Sequence, residues 1–268
     1  MAMRSGYSPA QARGCARPIA LAMALLAALA LVAACAPQPV QAPQPVQPAQ
    51  PSKRPQPARE AEVPPPSFPV DFYRDAARHA EPVFEVDPAK SLVVIEVRRA
   101  GSLARLGHDH VVASHDLHGY IAPDERRADL YVRLDRLTVD EPQLRAQAGF
   151  DTQPTAEDIA GTRRNMLGRV LDAEAHPYAL IAVTGKAEGS GLNVAITLNG
   201  VTRHVPVQAA IESSAGDYTV TGTLAFDQTD FGIRPFSILG GAVAVADRLH
   251  LRFSIRAHRI AGLPATDR

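Results

Sequence analysis

Apolar and polar side chains alternate along most of the chain between residues 81 and 260. In ADLYVRLDRLTV, every second residue from Ala128 to Leu134 is apolar, and RLHLRFSIRAH follows the same rule after Arg248. DYTVTGTLAFD, which starts at Asp217, repeats the pattern. Successive side chains of a β-strand point to opposite faces, so a period of two predicts strands with one buried face.

The stretch LNVAITLNGVTRHVPVQAAIES places Asn199 and Gly200 between two alternating runs. Asn-Gly adopts the positive φ angles of a two-residue turn, so this stretch predicts a β-hairpin. SLVVIEVRR, HDLHGYIA and YALIAVTGK are further strand candidates, which brings the number to about eight. The pattern favours an all-β fold, either a closed antiparallel barrel or a sandwich.

The segment DTQPTAEDIAGTRRNML interrupts the alternation. Thr155 followed three positions later by Asp158 is typical of a helix N-terminus, and Ile159, Met166 and Leu167 have helical spacing. We predict one short helix here, as a lid or a plug of the barrel.

The apolar faces of the strands are expected to converge on one interior. The chain has no tryptophan and only 5% aromatic residues, so aliphatic side chains line this interior. A barrel of about eight strands is near the limit that side chains alone can fill, which leaves a solid core and a cavity as alternatives. The predicted interior positions are Val94, Leu130, Val132, Leu134, Val194, Ile196, Val220, Leu224, Leu251 and Phe253.

The start of the chain is typical of an export signal. Arginines precede an uninterrupted apolar run at residues 19–34, which is shorter than the roughly 20 residues of a membrane-spanning helix. The run ends in LVAACAP, which resembles the lipobox of bacterial lipoproteins. The resemblance implies cleavage before Cys35 and diacylglycerol on its sulfur, with an ordinary signal peptide as the alternative. Since Ala36 rather than aspartate follows, it also implies the outer membrane of a two-membrane bacterium.

We therefore predict a signal peptide at residues 1–34, a lipidated cysteine with a Pro/Gln-rich tether at residues 35–80, and a barrel domain at residues 81–262. Proline lacks an amide donor, and the tether has few apolar side chains to bury. The two cysteines, Cys15 and Cys35, both lie at or before the cleavage point. The mature domain then has no internal disulfide, and its stability depends on packing.

Four sequence segments of the predicted barrel domain occur together in an order that is characteristic of a protein family. They are GHDH, RRNMLGRVLDAEAHPYALIAVTG, ITLNGVTRHVPV and GTLAFDQTDFGIRPFSILGGAVAVADRLHLRFSI. This combination resembles the YceI-like family of lipid-binding proteins. The resemblance implies a lipocalin-like antiparallel barrel whose apolar interior holds a long isoprenoid lipid, in an exported protein without established catalytic activity.

The stretch GHDHVVASHDLHG contains four of the nine histidines of the chain. His108 and His110 would share one side of a strand, and either His115 or His118 across a turn would supply a third metal ligand. A metal-binding module built on these four residues is therefore an alternative function. In a purely structural interpretation, Asp109 bonds a histidine ring or the amides of the turn.

Other function classes lack support in the sequence. There is no G-x-S-x-G, phosphate-loop, dinucleotide-binding or H-E-x-x-H motif, so we do not expect an enzyme or a cofactor beyond the isoprenoid ligand. The formal net charge is zero, which gives no indication of a nucleic-acid partner. The expected partners are an apolar lipid and, through Cys35, a membrane; a homodimer stays open. A structural envelope protein with a solid core and no ligand is the third hypothesis.

Overall fold

The computed structural model describes residues 63–185, 191–214 and 216–260. The predicted signal peptide, Cys35 and the tether up to residue 62 lie outside the described residues, so the predictions for them stay predictions. The helices are α1 (Val70–Arg78), α2 (Pro142–Ala148) and α3 (Ala156–Asn165). Within the described residues, no helix has both the length and the apolar character needed to cross a bilayer.

The strands are β1 (Phe84–Val86), β2 (Leu92–Val97), β3 (Arg99–Ala100), β4 (His110–Ser114), β5 (Leu117–Ala122), β6 (Arg127–Arg133), β7 (Thr138–Val139), β8 (Tyr178–Thr184), β9 (Leu192–Leu198), β10 (Val201–Ser213), β11 (Asp217–Asp227), β12 (Ser237–Ile238), β13 (Val243–Val245) and β14 (Arg248–Arg259).

Antiparallel pairing closes the main sheet on itself. The order around the barrel is β1-β5-β6-β8-β9-β10-β11-β14, and β14 pairs back with β1. Strand β2 continues the path of β1 along β14, and β4 lies between β2 and β7. The predicted all-β, lipocalin-like antiparallel barrel of eight strands is confirmed.

The predicted hairpin is present between β9 and β10. Leu198 pairs with Val201 across the turn, and Asn199 and Gly200 have φ angles of 51° and 73°. Both angles lie in the left-handed region that Asn-Gly tolerates, so the turn residues determine the register of these two strands.

The predicted helix is also present as α3. The Thr155 side chain accepts a hydrogen bond from the Asp158 amide, and the Asp158 carboxylate accepts one from the Thr155 amide, which forms a reciprocal capping box. The expectation of a single helix is wrong, because α1 and α2 are present as well. Both helices are short, with nine and seven residues, and each is stabilised by the barrel wall that it covers.

Helix α1 lies within the segment assigned to the tether, yet it packs on the outside of the barrel. Its Tyr73 is fully buried, and the phenol donates a 2.7 Å hydrogen bond to Asp129 Oδ2 on β6. Burial and this hydrogen bond raise the pKa of the Tyr73 phenol. Residues 70–80 therefore join the folded unit, because aromatic side chains among the polar residues of this segment find an apolar surface on the barrel.

Helix α2 covers the outer face of β2 and β4. Val94, which was predicted to face the interior, is 1% exposed and packs on this outer side with Val111, Ala113 and Leu144. The parity predicted for β2 is therefore wrong. The run LVVIEV is apolar at consecutive positions because both faces of the strand are covered, so alternation carries no information about orientation there.

Candidate functional site

A cavity of about 800 Å³ extends through the interior of the barrel. This volume lies in the range of about 300–1,000 Å³ that is common for ligand pockets. Its wall is largely aliphatic, because the inward positions of the alternating strands are Val, Leu and Ile. The alternative of a solid aliphatic core is therefore not what the structure shows.

The predicted interior positions other than Val94 all line this cavity. They are Leu130, Val132, Leu134, Val194, Ile196, Val220, Leu224, Leu251 and Phe253. Several of them, such as Leu251 and Phe253, are only partly buried, since their side chains border open space rather than other side chains. Their location agrees with the alternation from which they were chosen, and their contact with a ligand stays a prediction.

Some lining residues were missed by sequence reasoning. On β2 the inward residues are Val93, Ile95 and Val97, one position out of step with the prediction. Leu117 on β5 and Ile181 on β8 also line the cavity. The alternation of LHGYIA and YALIAVT contained the signal for the last two. For β2, only the strands with which it pairs show which residues point inward.

Polar side chains gather at one end of the cavity, where α3 borders it. Helix α3 contributes Thr162, Arg164 and Asn165. His108, just before β4, and His110, at the start of β4, are further polar residues there. The arrangement joins an aliphatic interior to a polar mouth, which is the distribution expected for a long apolar molecule with a polar head.

A buried ionic network stabilises this end of the barrel. Asp140 Oδ2 lies 2.6 Å from His110 Nδ1, while Asp140 Oδ1 accepts hydrogen bonds from Arg145 Nη1 at 2.6 Å and the Val111 amide at 3.0 Å. Burial by itself raises the pKa of Asp140, but the bonds from His110, Val111 and Arg145 outweigh it and hold this pKa below its usual range. The network fastens α2 to β4.

The four clustered histidines do not converge. The ring centroids of His108 and His110 are 6.1 Å apart, whereas His115 pairs with Glu141 and His118 pairs with Asp116 on other parts of the surface. Across residues 63–185, 191–214 and 216–260, no group of three His, Cys, Asp or Glu side chains is placed to hold a metal ion. The structure therefore does not bring these four histidines into the shared site that the metal-binding alternative requires.

Asp109 has a structural role, but with a different partner from the histidine ring or turn amides considered in the sequence. Its side chain is buried, and Oδ1 accepts a 2.8 Å hydrogen bond from the Arg99 amide. The backbone carbonyl of Asp109 accepts a second bond from Arg145. The carboxylate thus holds the loop before β4 against β3 rather than orienting a histidine ring.

Comparison with known proteins connects this architecture to a family. The model of the YceI-like domain matches residues 84–257. The chain belongs to the YceI-like family. The match contains the whole ring of barrel strands up to Ala257 and the polar mouth, whereas α1 precedes it.

The solved structures to which the chain is similar are distant in sequence. A polyisoprenoid binding domain from Saccharophagus degradans is 14% identical, with 66% of this chain and 98% of that chain covered at a TM-score of 0.48. BcnA of Burkholderia cenocepacia is 15% identical, with 64% and 98% covered at a TM-score of 0.44. A mutant YCEI protein of Campylobacter jejuni is 13% identical, with 53% and 81% covered at a TM-score of 0.36. The search of curated proteins returned no match.

Proposed function

We propose that this YceI-like protein binds an isoprenoid lipid, or a similar long apolar molecule, inside its barrel. The observation that carries the proposal is the aliphatic cavity of about 800 Å³. An open apolar space of this size forgoes the packing energy that a filled core supplies, and a ligand restores it.

The extent of the cavity favours a long ligand. Its lining includes Leu192 and Ile211 near one end of the barrel and Phe236 and Ile238 near the other. An extended hydrocarbon chain contacts all of these positions, whereas a small molecule leaves most of the wall bare. The polar side chains of Thr162 and His108 at the mouth are suited to a polar head group.

We further propose that the protein is exported and anchored, as a lipoprotein of the outer membrane that faces the periplasm. The support is the apolar run at residues 19–34 and the lipobox-like LVAACAP sequence before Cys35. Replacement of the acylated residue by Cys35→Ala is expected to abolish the incorporation of radiolabelled fatty acid into the protein in its own host. A Cys15→Ala variant is the control, because the predicted cleavage removes that residue. Equal labelling of both variants, or no labelling of the wild type, would contradict the anchor.

A matched pair of variants on β14 tests the ligand proposal. Leu251 lines the cavity, and the adjacent His250 is exposed on the outer face. The delipidated full chain in mild detergent is incubated with a radiolabelled long-chain isoprenyl alcohol, and the captured amount is measured after gel filtration. We expect stoichiometric capture by the wild type and by His250→Gln. For Leu251→Gln we expect about a tenfold loss of affinity, since an amide without a partner then lines the cavity.

The test also addresses the ligand-free envelope protein considered above. If the wild type and both variants retain no more alcohol than detergent alone, the proposal is wrong and the ligand-free alternative is favoured. Equal capture by all three proteins would place the alcohol outside the barrel and would likewise contradict the proposal.

A further inference from the structure

Two loops lie side by side at the mouth of the cavity. One comprises residues 97–108 between β2 and β4, and the other comprises residues 232–246 between β11 and β14; together they are called the rim loops. Strands β3 and β13 pair within them, and the Leu103 amide donates a 2.7 Å hydrogen bond to the Ala242 carbonyl. The rim loops therefore present one continuous surface.

Large apolar side chains are exposed on this surface. Leu106 is 61% exposed, Ile238 45% and Leu239 69%. Leu106 and Ile238 also line the cavity, so an apolar path leads from the outside into the barrel. The other large exposed apolar side chains of the described residues are Val63 and Ile211. Exposed apolar residues are thus concentrated at the mouth, where a lipid would enter.

The backbone holds one of these side chains in an unfavourable conformation. Leu239 has a φ of 53°, and Gly240 and Gly241 follow with φ angles of 65° and 91°. Glycine adopts this region freely, whereas leucine does so at an energetic penalty. An exposed leucine at a strained loop tip contributes little to the stability of the fold. It is better explained by a contact outside the barrel.

The charges of the rim loops have one sign. Arg105 and Arg234 are exposed, and within the described residues neither forms an ion pair. The opposite side of the mouth, on α3, carries Glu157 and Asp158. The rim loops themselves contain no Asp or Glu. Their other two arginines are paired with carboxylates of neighbouring segments, Arg98 with Glu96 and Arg99 with Asp109 and Asp151.

We propose that the rim loops dock on the surface of an anionic lipid bilayer. Leu106, Ile238 and Leu239 enter the boundary between head groups and acyl chains, and Arg105 and Arg234 contact lipid phosphates. Apolar side chains flanked by cations are the combination that binds such interfaces. A patch of three apolar side chains is small for a protein interface, which takes about 800 Å² from each partner. The inference rests on the proposed function in one respect: it names the source from which the isoprenoid enters the barrel.

The absence of tryptophan from the chain allows a direct test. Leu239→Trp places a unique indole on the rim loops, and Ile211→Trp places one at the opposite end of the barrel, where Ile211 is 46% exposed. Each full-length variant is mixed with phosphatidylethanolamine/phosphatidylglycerol vesicles that contain brominated acyl chains. We expect a blue shift and at least about twofold quenching for Leu239→Trp, and neither for Ile211→Trp. Any attachment through the N-terminal region affects both variants equally.

The charges are tested in the same assay. Arg105→Gln and Arg234→Gln, added to Leu239→Trp, are expected to reduce the quenching to the level found with neutral phosphatidylcholine vesicles, and high salt is expected to do the same. Leu106→Trp is a second reporter of the rim loops in case Leu239→Trp does not retain the β-sheet circular dichroism spectrum. Equal quenching of the rim and Ile211→Trp reporters, or none at either rim position, would overturn the proposal. Equal quenching in anionic and neutral vesicles would overturn the role of the arginines.

The isoprenoid content of the same samples separates this inference from the proposed function. If the barrel contains isoprenoid but the tryptophans on the rim loops stay in water, bilayer docking is contradicted and the proposed ligand is not. Rim reporters that enter the bilayer while the barrel refuses isoprenoid would support docking and contradict the proposed ligand.

Discussion

The two faces of β2 carry the same kind of side chain in opposite environments. On the outer face, Val94 is 1% exposed and is packed beneath α2 against Leu144. On the inner face, Val93 and Ile95 are only partly buried, and both border the cavity. The outer layer is a solid core, whereas the interior is a lined space. Apolar periodicity therefore predicts that a strand face is buried. Whether the space beside that face is packed or open depends on the element that lies opposite it.

The largest expected effect concerns the network that holds the outer layer in place. Asp140→Ala leaves the buried Arg145 guanidinium without its carboxylate, so we expect a loss of about 3–5 kcal/mol in the free energy of unfolding. Urea denaturation followed by circular dichroism measures it. Asp135→Ala, which removes an exposed carboxylate paired with Arg133, is the control and should change stability little. Similar losses in the two variants would contradict a special role for the buried network.

The contrast between filled and open regions is tested by two truncations. Leu144→Ala leaves a hole in the packed outer layer, and we expect it to destabilise the fold by about 2–5 kcal/mol. Leu251→Ala enlarges a space that already exists and should destabilise the ligand-free protein clearly less. Urea denaturation of the delipidated proteins compares them. A greater loss for Leu251→Ala would show that the interior is packed as tightly as the outer layer.

A smaller effect is expected where α1 meets the barrel. Tyr73→Phe removes the hydrogen bond to Asp129 while the ring stays in place, so we expect a loss of about 1–3 kcal/mol. Phe68→Leu, which alters an aromatic contact of the same layer with Tyr131, provides a comparison without loss of a hydrogen bond. Unchanged stability of Tyr73→Phe would show that the polar contact does not hold α1 on the wall.

The smallest expected effect is on the pH dependence of unfolding. The folded pKa of Asp140 lies below its ordinary value, because hydrogen bonds to the charged carboxylate outweigh the burial that opposes them. Its contribution to stability is therefore complete above the unfolded pKa of about 3.9, and is lost as the pH falls through the folded value. Asp140→Asn cannot titrate, so urea midpoints measured in acid should fall less steeply for this variant. Identical slopes in the variant and the wild type would contradict the lowered pKa.

Much of the barrel was predictable because one face of most strands meets the interior and the other meets solvent. Leu130, Val132 and Leu251 were placed correctly on this basis alone. Val94 was not, since α2 covers the outer face of β2 and removes the polar signal that marks orientation. The histidine cluster was misleading for a related reason. The partners of two of these histidines are distant in sequence. Asp140 pairs with His110 and Glu141 pairs with His115, so the spacing of the histidines alone could not reveal them.

The central claim is that the interior is a ligand site rather than an unfilled core. The most direct measurement is native mass spectrometry of the full chain, purified in mild detergent from its own host, with organic extraction of the same sample. We expect a single apolar adduct of isoprenoid composition at about one per protein, greatly reduced in Leu251→Gln and retained in His250→Gln. A protein that carries no such adduct and takes up no added isoprenoid would show that the interior is not a ligand site.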